Sequence, residues 1–146
     1  MTSLAFKVRP SAVLPDHRPL YKITQVLLIL LLASRGKKSS FVRLQLFNWA
    51  LKDEARRNKL ALASVNKEIE FPAWGLDPTL DTALALAKAD ALVATTAKVV
   101  ELTKSGREFC ERVLQEHLYE EDAAYLRNLG TSITETMVDA IVNRWA

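Results

Sequence analysis

The sequence predicts a mainly α-helical fold with one small β-hairpin, on three observations. Apolar residues recur at helical spacing along most of the chain, and β-branched residues concentrate in one short stretch over residues 91–103. Gly and Pro are scarce, at 4 and 5 residues, and 49% of the 146 residues are hydrophobic, which favours a single folded domain with a sizeable core. Cys110 is the single cysteine, so the fold cannot depend on disulfide bonds within the chain.

Residues 1–19 are predicted to form an extended N-terminal arm. Three prolines fall within these residues, and proline is not tolerated inside a long helix. Phe6 and Val8 lie in an alternating apolar and polar pattern that is typical of a short strand. Such side chains pack on their own domain or cross to a partner, so Phe6 and Val8 are candidate interface residues.

The longest apolar run, residues 26–33, predicts a helix that is buried on nearly all sides. Pro19 starts this helix and Gly36 ends it, which places it over about residues 20–34. The run has 8 residues, whereas a membrane-spanning helix needs roughly 20. The run also lacks the position and cleavage site of a secretion signal. Together with the lone thiol, this predicts a cytoplasmic protein without membrane association.

Two further helical stretches and a strand are expected next. A serine pair at residues 39–40 offers an N-cap for a second helix. A stretch over about residues 52–64 either continues that helix or starts a new one. Ile69 and Phe71 alternate with acidic residues, which predicts a short strand. Residues 71–78 contain two prolines and a glycine, and they are predicted to form a turn.

The following segment predicts a helix and then a β-hairpin. Asp77 directly precedes a proline, which is a start signal for a helix over about residues 77–90. Residues 91–96 and 97–103 have strand composition, and their short connection predicts that they pair as a hairpin. Thr103 is expected to cap the helix that comes after the hairpin.

This order of helices and hairpin is typical of a winged-helix domain, assigned here to residues 20–118, with a short wing near residues 95–98. A helical bundle with one hairpin is the alternative. Residues 119–146 are expected to add helices that pack on this core or on a partner. Thr131 is expected to cap the last of them, which runs to Trp145.

Charge is distributed unevenly along the chain. Residues 1–70 hold 13 Lys and Arg against 5 Asp and Glu, whereas residues 71–146 hold 7 against 12. Such asymmetry steers an anionic partner to one end of a molecule and a cationic partner to the other. The alternative is that the two halves mix in space and that their charges form ordinary solvated faces.

Two clusters hold most of the basic residues in the first half of the sequence. The first basic cluster surrounds the turn after the first helix and comprises Arg35, Lys37, Lys38 and Arg43. The second basic cluster comprises Lys52, Arg56, Arg57 and Lys59. Both are candidate contacts for a nucleic-acid backbone or for an acidic partner face, and a solvated surface is the alternative for each.

The helix over residues 77–90 is acidic. In winged-helix proteins the helix before the hairpin normally enters the major groove of DNA and reads bases with basic or amide side chains. Here this helix carries three acids, Asp77, Asp81 and Asp90, and one base, Lys88. It is therefore expected to repel phosphate and to serve instead as a protein interface.

The three tryptophans receive different predictions. Trp49 lies in a helical apolar pattern and is expected in the core. Trp74, in the turn region, and Trp145, near the end of the chain, are candidate interface residues because tryptophan is enriched at binding hot spots. Core packing is the alternative for both.

The sequence contains no recognisable catalytic motif. His17 and His117 are 100 residues apart, and no cysteine or carboxylate lies at zinc-ligand spacing around them. Cys110 follows a helical pattern beside Phe109 and Val113, so it is expected in the core. The sequence therefore predicts a protein that is not an enzyme and that holds no metal or cofactor.

A resemblance to a known family is carried by two stretches, RPLYKITQVLLILLLASRGKKSSFVRLQLFNWALKD at residues 18–53 and LTKSGREF at residues 102–109. They resemble the small middle components of bacterial ABC three-component systems, which include accessory subunits of Lamassu-type anti-phage complexes. The resemblance covers residues 10–118 and carries over no catalytic residues. It implies an adaptor that helps to assemble an SMC-like ABC ATPase with an effector, often a nuclease, both encoded by neighbouring genes.

Two functional hypotheses follow from these observations. In the first, the chain is a non-catalytic adaptor in an anti-phage defence complex and docks through its apolar arm, its acidic helix and its C-terminal helices. In the second, it is a winged-helix transcriptional regulator that binds DNA through its basic first half. The second hypothesis predicts DNA affinity with a steep salt dependence, whereas the first predicts a stable complex with the neighbouring gene products.

Overall fold

The computed structural model describes residues 19–71 and 74–145, so the arm with Phe6 and Val8 lies outside the described residues. Within them the chain is mainly helical and carries one small sheet, as predicted. The helices are α1 (Pro19–Leu32), α2 (Phe41–Ala50), α3 (Glu54–Asn66), α4 (Pro78–Ala89), α5 (Lys104–Gln115), α6 (Glu120–Leu129) and α7 (Glu135–Val142). The strands are β1 (Lys38–Ser40), β2 (Val93–Thr95) and β3 (Val99–Leu102).

α1 lies at the centre of the molecule, as its apolar sequence predicts. Every residue from Lys22 to Leu30 is buried, and α4, α5 and α6 all pack against this helix. Its buried polar side chains have partners inside the fold, as burial requires. Lys22 Nζ donates to Asn48 Oδ1 at 2.7 Å. Gln25 Nε2 donates to Asp122 Oδ2 of α6 at 3.1 Å. Within the described residues, no helix combines the length and the hydrophobicity that a membrane crossing requires.

The three strands form one antiparallel sheet in the order β1-β3-β2. β2 and β3 pair with Val93 opposite Leu102, which confirms the predicted hairpin. β1 pairs with the other side of β3 and places Lys38 opposite Glu101. β1 is absent from the sequence prediction because its three residues, KSS, are polar and too few to show a strand period.

Capping side chains fix where the second and third helices begin. Ser40 caps α2, and its hydroxyl accepts a hydrogen bond from Arg43 N at 3.1 Å. Asp53 caps α3, and its carboxylate accepts from Arg56 N at 2.8 Å. α2 and α3 are therefore two helices, which settles the choice that the sequence left open.

Two local predictions are wrong. No strand forms at Ile69 and Phe71, because these residues have no strand partner in the described structure, and Ile69 is buried in the core instead. Thr134, not Thr131, caps α7, since its hydroxyl accepts from Met137 N at 3.2 Å.

Gly106 allows α5 to pack closely against the segment before β2. A Cβ atom at this position would lie 2.1 Å from the carbonyl oxygen of Leu92. Thr103 caps α5 as predicted and accepts from Gly106 N at 3.0 Å. The same hydroxyl donates to Ala91 O at 2.6 Å. Thr103 therefore links the residue that follows β3 to the segment that precedes β2.

The two C-terminal helices contact the rest of the chain. α6 packs on α1, and Tyr125 Oη donates to Arg57 O of α3 at 2.8 Å. Burial raises the pKa of Tyr125 above its usual range, against the lowering effect of Arg57. α7 packs on α2 and buries Val138 and Ile141.

Candidate functional site

The first basic cluster leaves three cations without partners. Arg35 and Lys38 are exposed and Lys37 is half-buried, in a short 3-10 turn and the strand that follows it. Gly36 supplies the positive φ of 65° that this turn uses. None of these three basic side chains makes an ion pair or a hydrogen bond within the described residues. Their charge is therefore available to a ligand.

Arg43 does not belong to this surface, and its assignment to an exposed patch is wrong. It is 3% exposed, and its Nε donates to Ile133 O at 2.7 Å. Its Nη1 donates to Ser34 Oγ at 2.8 Å, and its Nη2 donates to Ala33 O. The guanidinium also lies 4.6 Å from the ring centroid of Phe47. Burial lowers the pKa of Arg43 to about 10, against the raising effect of Glu135, so it stays charged at neutral pH.

A groove of about 590 Å³ lies beside the unpaired cations. Its walls come from the turn after α1, from β1, from the β2–β3 turn and from the start of α7. The charged residues that line it are Arg35, Lys38, Arg43, Lys98, Glu135 and Asp139. Lys98 belongs to neither basic cluster and lies in the predicted wing over residues 95–98. The pairing of β1 with β3 brings it to the same groove as Lys38.

In the second basic cluster, three of the four residues already have partners. Lys52 Nζ lies 2.9 Å from Asp77 Oδ2. Arg56 Nε lies 3.4 Å from Asp53 Oδ2, and Arg57 Nη1 lies 3.5 Å from Glu121 Oε1. The fourth residue, Lys59, is exposed and makes no such contact within the described residues.

Asp77 is committed to the fold. It caps α4, where its carboxylate accepts from Thr79 N at 2.9 Å. Asn48 Nδ2 donates to it at 3.1 Å, and Lys22 Nζ lies 3.8 Å away. Burial by itself raises the pKa of Asp77, but the hydrogen bonds from Thr79, Lys52 and Asn48 outweigh this and hold the pKa well below its usual range. The carboxylate therefore has few positions left for a partner protein.

The remaining predicted acids lie on α4. Asp81 is exposed and Asp90 is half-buried at the C-cap of the helix. Lys88 is exposed on the same helix, as is Leu86, whose side chain is 42% exposed. α4 therefore offers solvent a face of mixed charge with one large aliphatic residue.

All three tryptophans of the chain meet in one aromatic row. Trp49 stacks on Phe71 at a centroid distance of 4.9 Å, and Phe71 meets Trp74 edge to face at 6.2 Å. Trp145 meets Trp74 at 5.1 Å and ends the row. At the other end, the guanidinium of Arg56 lies 5.0 Å from the ring centroid of Trp49. We call these four aromatic residues the aromatic row.

Exposure varies along the aromatic row. Trp74 is 4% exposed, and its Nε1 donates to Val42 O at 3.3 Å, so core packing, not an interface, is its main role. Trp49, expected in the core, is half-buried. Trp145 is 43% exposed. Sequence reasoning considered each tryptophan separately, because the residues lie on three distant segments and no local signal joins them.

An exposed aliphatic surface adjoins the row on α3. Leu62 is 55% exposed and Val65 is 76% exposed. A second groove, of about 260 Å³, is lined by Leu62 and by Phe71 of the aromatic row, with Lys59 and Glu68 among its charged residues. Phe71 therefore connects the aromatic row to the outer face of α3.

The other chemically versatile side chains have structural surroundings. Cys110 is fully buried, as predicted, and burial raises the pKa of its thiol to about 12. His117 is exposed and its Nδ1 lies 2.6 Å from Glu120 Oε1. Among the described residues, no group of three or more His, Cys, Asp or Glu side chains is placed to hold a metal ion.

No protein-family model, curated protein or solved structure matches this chain. The positive features that bear on its function are therefore the aromatic row with the adjoining face of α3, and the groove with its unpaired cations. The first surface is apolar and the second is basic, so the two are suited to different ligands.

Proposed function

We propose that this chain is a non-catalytic adaptor subunit that docks on partner proteins through the aromatic row and the outer face of α3. The partners that the resemblance implies are an SMC-like ABC ATPase and an effector, often a nuclease, which would assemble with it in the cytoplasm as an anti-phage defence complex. The observation that carries the proposal is the convergence of all three tryptophans on one partly exposed row.

The row has the properties of a binding hot spot. Trp145 is partly exposed and rests on Trp74, which a hydrogen bond to Val42 O holds in place. An aromatic side chain that is fixed before binding loses little conformational entropy when a partner covers it. Large aromatic side chains at the centre of an interface contribute most of its binding energy. The row therefore supplies a prepared anchor for a partner.

The outer face of α3 extends this anchor into a larger surface. Leu62 and Val65 expose most of their side chains to solvent, although burying a side chain of this type is worth about 1.5–3 kcal/mol. Contiguous exposed apolar surface marks interaction sites on soluble proteins. Lys59 and Glu68 give the adjoining groove a charged rim, which is the usual composition at an interface edge.

We also propose that residues 20–118 form a winged-helix domain. The order α1, β1, α2, α3, α4, β2, β3, with β1 paired to the hairpin, supports this assignment. α4 then occupies the position of the recognition helix. Its exposed face carries an acid, Asp81, an aliphatic residue, Leu86, and a single basic residue, Lys88. This composition does not suit base reading in the major groove, so we favour the adaptor over the transcriptional regulator.

The docking surface is tested by co-expressing the tagged chain with the products of its two flanking genes. Wild-type protein is expected to co-purify with an ATPase-like or nuclease-like partner and to elute with it in gel filtration. Trp145→Ala and the pair Leu62→Ser with Val65→Ser are expected to remove most of the partner, because they delete the anchor and the aliphatic surface.

Leu86→Ser on α4 is the matched control, since it removes a large exposed aliphatic side chain that belongs neither to the aromatic row nor to α3. Retention of the partner by this variant, together with loss by Trp145→Ala, would support the proposed surface. Loss with Leu86→Ser alone would move the interface to α4 and contradict the proposal. A wild-type chain that elutes without its neighbours would contradict the adaptor function itself.

A further inference from the structure

We infer that the groove between β1, the β2–β3 turn and the start of α7 binds the phosphodiester backbone of a nucleic acid without reading its sequence. The site is separate from the aromatic row, and it stands whether or not the proposed protein docking is correct. The observation behind it is a groove lined by three cations whose side chains have no partner in the described part of the chain, namely Arg35, Lys38 and Lys98.

The available charge in the groove is positive. Arg43 and Glu135 line it as well, but both are engaged by protein groups. Arg43 donates to backbone carbonyls, whereas the carboxylate of Glu135 accepts from Ser40 N at 2.8 Å and from Ser40 Oγ at 2.6 Å. The exposed Asp139 is the remaining acid of the lining. The four cations of the lining therefore outweigh its two carboxylates, Glu135 and Asp139, and attract a polyanion.

The internal hydrogen bonds also fix the walls of the groove. The carboxylate of Glu135 on α7 accepts hydrogen bonds from Ser40, the N-cap residue of α2. These bonds hold the start of α7 against the start of α2. Arg43 links the end of α1 to the segment before α7 through Ala33 O and Ile133 O. The cations lie on this fixed frame, and a preformed site loses less ordering entropy when a ligand binds.

The placement of the cations suits a chain of phosphates better than a single anion. Lys38 lies opposite Glu101, and Lys98 directly precedes β3, three residues before Glu101, which is about 10 Å at the rise of a β-strand. Arg35 comes from a third segment, the turn after α1. The cations thus come from separate segments of the groove wall. Thr131 and Thr136 also line the groove, and threonine hydroxyls are common donors to phosphate oxygens.

The inference is tested by titrating the isotope-labelled full chain with a short DNA duplex of random sequence at low ionic strength. Amide NMR signals of residues 35–40, 98–99 and 131–136 are expected to shift, whereas those of α3 and α4 stay in place. The affinity is expected to fall with rising salt, with a slope of about −0.9 in log K against log salt for each phosphate contact. No shift at the highest duplex concentration, or shifts centred on α4, would overturn the inference.

Two matched double variants distinguish binding in the groove from attraction by the overall positive charge of the protein. Lys38→Gln with Lys98→Gln is expected to weaken duplex binding by about tenfold or more and to reduce the salt slope by about 2. Lys59→Gln with Lys88→Gln removes the same charge from two exposed lysines outside the groove and is expected to have little effect. Equal loss in both pairs would mean that net charge alone attracts DNA and would overturn the site.

Two further probes identify the ligand chemistry. Inorganic phosphate at the same phosphate concentration is expected to give much weaker shifts, and equal shifts would assign the groove to a small anion. Polyglutamate is expected to bind more weakly than the duplex, and equal or tighter binding would assign the groove to an acidic protein. Trp145→Ala is expected to leave the duplex titration unchanged, so failure of the docking proposal and failure of this one are distinguishable.

Discussion

The two basic clusters look alike in the sequence, with four cations each, but they differ in the folded chain. The first leaves three cations free and buries the fourth, Arg43, among backbone carbonyls. The second engages three cations with nearby carboxylates and leaves Lys59 free. The comparison shows that a count of charges does not measure charge that a ligand can use, because burial and internal partners decide what remains available.

Among the variants that test this comparison, the largest effect on the free energy of unfolding is expected at Arg43. Arg43→Ala is expected to lower the free energy of unfolding by about 3 kcal/mol or more, because it leaves buried carbonyl and hydroxyl groups without donors. Arg35→Ala, in the same cluster, is expected to change it by less than about 0.5 kcal/mol, since that side chain has no partner. Urea denaturation measures both. Equal midpoints for the two variants would show that Arg43 does not support the fold as described.

An intermediate effect is expected at Asp77, the acid that holds Lys52 of the second cluster. Its pKa is lowered in the folded state, so the ionised carboxylate stabilises the fold above the ordinary value of 3.8. This stabilisation is lost progressively as the pH falls below 3.8 toward the lower pKa of the folded protein. Asp77→Asn is expected to cost about 1–3 kcal/mol at neutral pH and to flatten the decline in stability at acid pH. Parallel pH profiles for the wild type and the variant would contradict this account.

The smallest effect is expected at Arg56, whose guanidinium lies over Trp49 at the end of the aromatic row. Arg56→Ala is expected to lower the free energy of unfolding by about 0.5–1 kcal/mol, because it removes the cation–π contact with Trp49 and the ion pair with Asp53. Lys59→Ala, on the same helix, removes a cation without a partner and is expected to be neutral. If the two variants unfold at the same denaturant concentration, neither contact of Arg56 contributes measurably to stability, which would contradict the distinction between Arg56 and the cations without partners.

Local signals predicted much of the fold. Thr103 and the serine pair before α2 were identifiable as caps, because a capping side chain acts on amides only two or three residues away. The buried character of α1 follows from its continuous apolar run. β1 escaped prediction since its three polar residues become a strand only through pairing with β3.

The candidate surfaces were less predictable, since they depend on tertiary contacts. Trp49, Trp74 and Trp145 come from separate segments, and their convergence is a property of how α2, the turn before α4 and the end of the chain pack together. Arg43 was grouped with its exposed neighbours because it lies close to them in the sequence. Its burial is set by carbonyl groups of Ala33 and Ile133, which the sequence does not place near it.

Cys110 gives the molecule a built-in probe of its own opening. It is the single thiol of the chain, it is fully buried on α5, and burial raises its pKa to about 12. The folded protein at neutral pH therefore presents almost no thiolate to an alkylating reagent, and modification requires transient exposure. The rate of alkylation by a maleimide, followed by mass spectrometry, would therefore report how often the structure around Cys110 opens. The measurement needs no engineered label and can be repeated with a bound partner.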